Sequence, residues 1–442
     1  MRVGSWEAQA MDIMKSVLEN EAYLIEMRRH FHVRAELSDK EDETVKTICA
    51  ELTKMGISHV DVPHGGVLGF IKGKNDGKSV MLRGDIDALP LQEEPSNLVA
   101  SKTCVSENKG VCHACGHDGH AAMLLVAGKI LNENKEQFDG TVILMFERGE
   151  EQTGNFVYLY KYIRDNHIHI DSLYGTHLFA GLETGKVSIS DDNVMSGGFG
   201  MNFKISGRGG HSSRPDQANN PLDCFVAIYN GFNALRMRNV SPFHTITTGI
   251  TVVHAGTISN VIPETVEFSG GGRVFEYSDA IKIKEETINL VESTCKAYHC
   301  TLDKVDTRGP MLAVKNDPQC AQMLRTAAAF TIGAEHIVQI EPWMASDCVS
   351  SHLALWPGVF ALVGIRNEEK GTGAPHHDGR FDLDEDALKY GTATAVAYAM
   401  GFLASDIDTS QNPNRWTGSM HDLVAETTAC VRRASMLEVL SS

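Results

Sequence analysis

No uninterrupted apolar run in the sequence reaches the roughly 18 residues that a membrane helix needs, so no membrane partner is expected. The opening segment, MRVGSWEAQAMDIMKSVLENEAYL, reads as an acidic helix and lacks the apolar stretch of a secretory signal. Basic residues are scarce: 40 Lys and Arg stand against 57 Asp and Glu, a formal net charge of -17. Sequence-independent nucleic-acid binding depends on Lys and Arg neutralising phosphates, so no nucleic-acid partner is expected either. Cysteine is sparse as well. The 10 thiols are scattered from Cys49 to Cys430, too thinly for a disulfide scaffold, and they suit a reduced, cytoplasmic protein. Neither an internal repeat nor a low-complexity segment is present. What remains is ordinary globular composition, 42% hydrophobic and 22% charged. At about 150 residues per domain, 442 residues suggest two or three.

The first 60 residues read as helices. In TVKTICAELTKMGI, Val45, Ile48, Leu52 and Met55 recur with helical spacing. The texture then changes to KSVMLRGDID, GTVILMFERGEE and DSLYGTHL, short apolar runs that end in polar residues, with the helical pattern GHAAMLLVAGKILNENK between the first two. Alternating strands and helices imply a parallel or mixed sheet covered on both faces. Near residue 193 the pattern shifts. GGFGMNFKISGRGG alternates with period 2, and a helix follows, capped by Asn220 with Pro221 in its first turn and Leu222, Phe225, Tyr229 and Phe232 on one face. Two more strands and a helix over roughly 278–298 complete a compact α+β unit. After 305 the α/β texture returns and ends in a long helix, DEDALKYGTATAVAYAMGFLA. The tail beyond Asp406 is polar and then weakly helical.

Polar clusters fall just after these strands or at helix starts: Arg83-Gly84-Asp85-Ile86-Asp87, His113-Ala114-Cys115-Gly116-His117-Asp118, Glu150-Glu151 and His177. Ligands of open α/β sheets bind beyond the C-terminal strand ends. A fifth cluster, Pro375-His376-His377-Asp378, lies in a Gly-rich loop. Singly, each has an ordinary reading as a solvated turn or a satisfied histidine. Together they supply Cys, His and Glu, the donors that a borderline-soft divalent metal prefers. Five donors, one of them bridging, would suit a pair of ions roughly 3.5–4 Å apart.

RGDIDALP at 83–90, CHACGHDGH at 112–120, the glutamate pair, GRGGHSSRP at 207–215, NVIPE at 260–264 and APHHDGRFDLDE at 374–385 resemble the M20 metallopeptidase family. The likeness is to its amidohydrolase branch, which includes aminoacylases, hippurate hydrolases and auxin-conjugate hydrolases. It covers roughly residues 20–405. The resemblance implies metal ligands at Cys115, His117, Glu151, His177 and His377, the last preferred over His376 for its spacing to Phe381. It implies Glu150 as general base, Asp87 as the aspartate orienting the ligands, and His211 as a histidine that reaches a partner subunit's site. Asn260 and Arg273 are implied near the substrate. The expected fold is α/β: a mixed-sheet catalytic domain of residues 1–192 plus 306–442, with an inserted α+β lid or dimerisation domain at 193–305. The expected activity is metal-dependent hydrolysis of the amide bond of N-acyl (or aryl) amino acids, releasing a carboxylic acid and a free amino acid, by a cytoplasmic homodimer with two divalent ions per subunit. Those ions would be zinc or manganese, with cobalt or nickel also compatible. A dipeptidase or aminopeptidase of the same family, or a catalytically impaired binding homologue, is the alternative. Three stretches depart from the family pattern. Phe146-Glu147-Arg148-Gly149 stands for Phe-Gln-Pro-Ala. Gln152-Thr153-Gly154-Asn155 replaces a glycine run, and Ala345-Ser346-Asp347-Cys348 replaces Ser-Glu-Asp-Phe.

Overall fold

Consecutive apolar residues, with no polar alternation, mark a strand buried on both faces. Three such runs form the middle of the larger sheet in the computed structural model, which describes residues 13–152, 154–428 and 433–441. The helical expectation for residues 1–12 lies outside the described residues. The eight strands of this sheet are β1 (Ser58–Val62), β2 (Gly66–Lys72), β3 (Ser79–Asp85), β4 (Thr141–Glu147), β5 (Ser172–Glu183), β6 (Val187–Ser188), β11 (Ile337–Val338) and β12 (Val359–Arg366). Their order is β1-β2-β4-β3-β5-β12-β6-β11. The central strands β4, β3, β5 and β12 are parallel, and antiparallel pairs on both sides make the sheet mixed. Alternate side chains enter different cores. Val142, Leu144 and Phe146 of β4 join one cluster, and Ile143 and Met145 join the other. In register, Asp85 ends β3 opposite Glu147 at the end of β4, which gathers the polar strand ends along one edge.

Helices close both faces. α1 (Glu21–Val33) and α2 (Asp42–Lys54) precede the sheet, and α3 (His117–Glu133) is deeply embedded: every residue from His117 to Gly128 is buried. α4 (Phe156–Asp165) covers the other face.

The second sheet has four antiparallel strands, β7 (Gly197–Ser206), β8 (Ile246–Ala255), β9 (Thr265–Val274) and β10 (Thr301–Met311), in the order β8-β9-β7-β10. α5 (Pro221–Asn239) and α6 (Tyr277–Ala297) share with it a separate core that includes Phe203, Ile228, Phe232 and Val291. Two expectations are corrected here. The buried stripe of α5 runs through Cys224, Ile228 and Phe232, while Tyr229 is 43% exposed. One residue along a helix turns about 100°, which carries Tyr229 off the sheet. β10 also crosses the expected limit at 305 and pairs with β7 as far as Met311. Its sequence, TLDKVDTRGPM, has no apolar run to announce a strand.

The chain then forms α7 (Pro318–Ile332), α8 (Val349–Leu355), α9 (Leu388–Leu403) and, in the tail, α10 (Met420–Thr427) and α11 (Arg433–Ser441). Leu423, Val424, Met436 and Leu440 of the tail are buried in the same core as Phe156 and Tyr160 of α4. Among the described residues, no helix is long and apolar enough to cross a membrane.

Candidate metal centre

Gly116 makes the turn on which two of the candidate donors sit. Its φ of 91° is left-handed, and an added Cβ would lie 3.3 Å from Leu178 Cβ. Glycine alone takes both without strain. The turn leads into α3, so Cys115 and His117 flank it at the helix start. His177 lies within β5 rather than at its end. The β3–β5 pairing stops at Gly175, and His177 therefore stands just beyond the last bond to β3. Glu150 and Glu151 follow β4 directly. His377 has a positive φ of 64°, uncommon for a side-chain-bearing residue, and its N–H donates to Ala114 O at 2.9 Å. That bond ties its loop to the Cys115 turn.

The donors converge as two overlapping triples. Atoms of Cys115, His117 and His177 lie within 4.8 Å of one another, and so do atoms of Cys115, Glu151 and His377. Cys115 Sγ is 3.5 Å from His177 Nε2, and His377 Nε2 is 3.3 Å from Glu151 Oε1. Each buried imidazole turns a lone pair inward. His117 donates from Nδ1 to Asp87 Oδ1 at 3.2 Å, and His177 donates from Nδ1 to Leu178 O at 2.7 Å. His117 Nε2 is buried without a hydrogen-bond partner among the described residues, and the buried Glu151 Oε1 meets only imidazole nitrogen, at His377. Such groups cost about 1–3 kcal/mol each when left unmatched. Orphaned lone pairs in a Cys-His-Glu set fit a divalent cation.

Glu150 borders the same cleft. Its Oε1 accepts the Cys348 N–H at 3.2 Å. Burial, then the Asp347 and Glu151 carboxylates, holds its own carboxyl well above the usual range. Asp87 is buried and accepts the Ser38 hydroxyl at 2.6 Å and the Glu151 N–H at 3.0 Å, besides orienting His117. The cleft has a volume of about 530 Å³, and its lining includes apolar Phe156, Met195, Met311 and Trp343. Arg273 reaches it from β9 and donates to Ser346 Oγ at 3.3 Å. His376 also borders the cleft, but its Nε2 accepts the Ala180 N–H at 3.2 Å.

His211 and Asn260 are not brought to this cluster within one chain. His211 is exposed on a short strand, Gly210–His211, paired with Val261–Ile262, and its Nδ1 accepts the Ser213 N–H at 3.1 Å. The Asn260 carbonyl accepts the Ser212 N–H beside it. Neither residue lines the cleft.

A charged network behind the donors went unread in the sequence. Arg83 donates to Glu147 at 2.6 Å and pairs with Asp85 at 2.9 Å. His120 donates from Nδ1 to the other Asp85 oxygen at 2.6 Å, while its Nε2 accepts the Leu178 N–H. Tyr160 donates to His352 Nδ1, which leaves His352 Nε2 to donate to Glu147 at 3.0 Å. The available signal was a charge inside each apolar strand, Arg83 in β3 and Glu147 in β4. The departures Glu147 and Arg148 therefore add no loose charge beside Glu150. Arg148 donates to Glu41 at 2.8 Å and to Asp42 at 2.9 Å.

This network has a pH signature. Burial works to raise the Glu147 pKa, but Arg83 and His352 outweigh it and bring it down to about 2 from an ordinary 4.5. A depressed carboxyl pKa contributes stability that is complete above 4.5 and fades as pH falls through about 2. Denaturant midpoints are expected to drop across that window. In Glu147→Gln the drop should be shallower, from a lower starting stability, because Arg83 keeps its burial and loses a partner.

Peptidase family M20/M25/M40 matches residues 81–401, which contain every candidate donor. The chain belongs to this family. Among curated relatives it is similar to thermostable carboxypeptidase 2 of Saccharolobus solfataricus, 31% identical over 88% of this chain and 98% of that one. It is also similar to the N-acetylcysteine deacetylase of Bacillus subtilis (strain 168), 31% identical over 83% of this chain and 93% of that one. Among solved structures it resembles the Bacillus subtilis YXEP protein, described as a dinuclear metal binding peptidase from M20 family. That match has a TM-score of 0.70 and 27% identity over 85% of this chain and 97% of that one. The mixed α/β fold is thus an M20 fold, and the chain is a hydrolase of that family. The M20 match ends before α10, so the tail helices lie outside it.

Proposed function

We propose that this M20 hydrolase cleaves the amide bond of N-acyl amino acids, releasing a carboxylic acid and a free amino acid. The observation that carries the reading is the pair of donor triples sharing Cys115, with the half-buried carboxyl of Glu150 beside them. Cys115, His117, Glu151, His177 and His377 would hold two divalent ions. When bound, these ions would supply a water of lowered pKa and polarise the scissile carbonyl.

The chain's own residues do the rest. Glu150 takes a proton from the attacking water and delivers it to the departing nitrogen, since an amine leaves only once protonated. Cys348 N–H fixes Glu150 at its Oε1. Asp87 holds His117 in the tautomer whose Nε2 faces Glu151. Arg273, the cation that β9 carries to the cleft, suits the carboxylate of the amino-acid half. Residues 193–305 are read as a lid and dimerisation unit. His211 and Asn260, exposed and remote from their own cleft, would then serve a partner's, with His211 stabilising the oxyanion. A cytoplasmic setting, where Cys115 stays reduced, accompanies this reading.

The test is elemental analysis of the purified protein followed by a panel of acetyl, benzoyl and indole-acetyl amino acids beside free dipeptides. Two divalent ions per chain and turnover of the acylated substrates are expected. Faster cleavage of the free dipeptides would turn the assignment to a peptidase, and a metal-loaded protein that cleaves nothing would reduce it to a binding homologue.

A further inference from the structure

Two residues of the cleft wall come from outside the span matched by the family. Thr427 and Thr428 line the cleft together with Glu150, Arg273 and Ser351, whereas the match ends at residue 401. Thr427 is the last residue of α10, and Thr428 follows it as the C-cap.

The tail is built into the molecule. Ser419 caps α10 with a full capping box: its hydroxyl accepts the Asp422 N–H, and the Asp422 carboxylate accepts the Ser419 N–H. Leu423 and Val424 are fully buried, against the core that holds Phe156 of the cleft. Trp416 N–H donates to Ala354 O of α8 at 2.6 Å, and Asn412 donates to Asp317 at 2.7 Å. On the other side, the Tyr277 hydroxyl of α6 donates to Glu426 O at 3.2 Å. The wall is therefore braced by both sheets' helices. Thr427 spends its hydroxyl on Leu423 O at 2.7 Å. Thr428 is 8% exposed, and its Oγ1 is buried with no hydrogen-bond partner among the described residues. Among the described residues its hydroxyl has no partner, and what it presents to the cleft is its bulk.

We propose that the tail helix α10, with Thr427 at its end and Thr428 just beyond, forms a specificity wall, and that Thr428 sets the length of the acyl group the cleft admits. This rests on the amidohydrolase reading above and adds which part of the chain selects the substrate.

The experiment measures kcat/KM for one amino acid carrying acyl chains from acetyl to octanoyl, in the full metal-loaded chain. The wild type is run first. If it cleaves no N-acyl amino acid, the amidohydrolase reading fails and takes the wall with it. With an active wild type, Thr428→Ala is expected to raise the ratio of long-chain to short-chain kcat/KM by roughly tenfold, the effect of a methylene-sized change in a pocket. Thr428→Trp should shift the ratio the opposite way, and Thr428→Val, which keeps the bulk, should restore the wild-type profile. Ser435→Ala, on the exposed face of α11, is the control for tail substitutions that do not touch the cleft. Metal content and the thermal midpoint are measured for every variant. If Thr428→Trp does not fold, Thr428→Ala decides alone. Profiles of folded Ala and Trp variants that parallel the wild type, with active enzyme throughout, overturn the wall and leave the amidohydrolase reading intact.

Discussion

Glu150→Gln is expected to keep its metals and its fold and to lose turnover by roughly 10²–10⁴-fold, the usual worth of a positioned proton carrier. Glutamine has the same shape, and its Oε1 can still accept the Cys348 N–H that fixes the wild-type side chain. What it lacks is a site for the proton. The substitution also removes one of three mutually close carboxyls, since Asp347 and Glu151 both press on Glu150. Unfolding stability should therefore hold or rise while kcat falls. That opposition separates a chemical role from a structural one, because a structural carboxylate lost from a buried site lowers both. Steady-state kinetics beside elemental analysis reads it out. A Glu150→Gln enzyme with wild-type kcat would remove Glu150 from proton transfer.

Cys115→Ser is expected to have the second large effect. Its sulfur belongs to both donor triples, so one substitution weakens both. A serine hydroxyl stays protonated near neutral pH and is a poor ligand for a borderline-soft ion, whereas a thiolate is a strong one. The variant should retain less than the full complement of metal after dialysis. It should also lose most of the thermal stabilisation that added metal gives the wild type, which linkage puts at about 2.7 kcal/mol when free metal is 100-fold above its Kd. Unchanged metal content in Cys115→Ser would contradict the ligand set.

Contiguous motifs were the most readable part of the site. The turn Cys115-Gly116-His117 and the pair Glu150-Glu151 carry their chemistry within a few residues, and short-range sequence is enough to see it. His177 was readable because an apolar strand delivers it. His211 and Asn260 have matching motifs but stand away from their own cleft, a separation no local pattern encodes. The Arg83–Glu147 pair was hidden for another reason: each residue looked like the polar end of its own strand, and only the parallel register of β3 and β4, with Asp85 opposite Glu147 and Arg83 opposite Met145, brings the two within diagonal reach. The strand Thr301–Met311 was missed because an edge strand with one covered face needs no apolar run. Tyr229 was set on the wrong side of α5 because a helix with apolar residues around much of its girth does not declare which stripe is buried; the sheet beneath it decides. The tail was unreadable because its helices are short and earn their stability from tertiary burial of Leu423, Val424, Met436 and Leu440 rather than from local propensity.

The lattice of Arg83, Asp85, Glu147, His120 and His352 clamps the strand ends through bonds the polypeptide makes with itself. Unlike a zinc finger, whose chain collapses only around its ion, this scaffold matches its buried charges with one another, so the metal-stripped chain is expected to keep a cooperative thermal transition. Ion supply in the cell would then set what fraction of the finished molecules works, leaving the yield of folded chains unaffected.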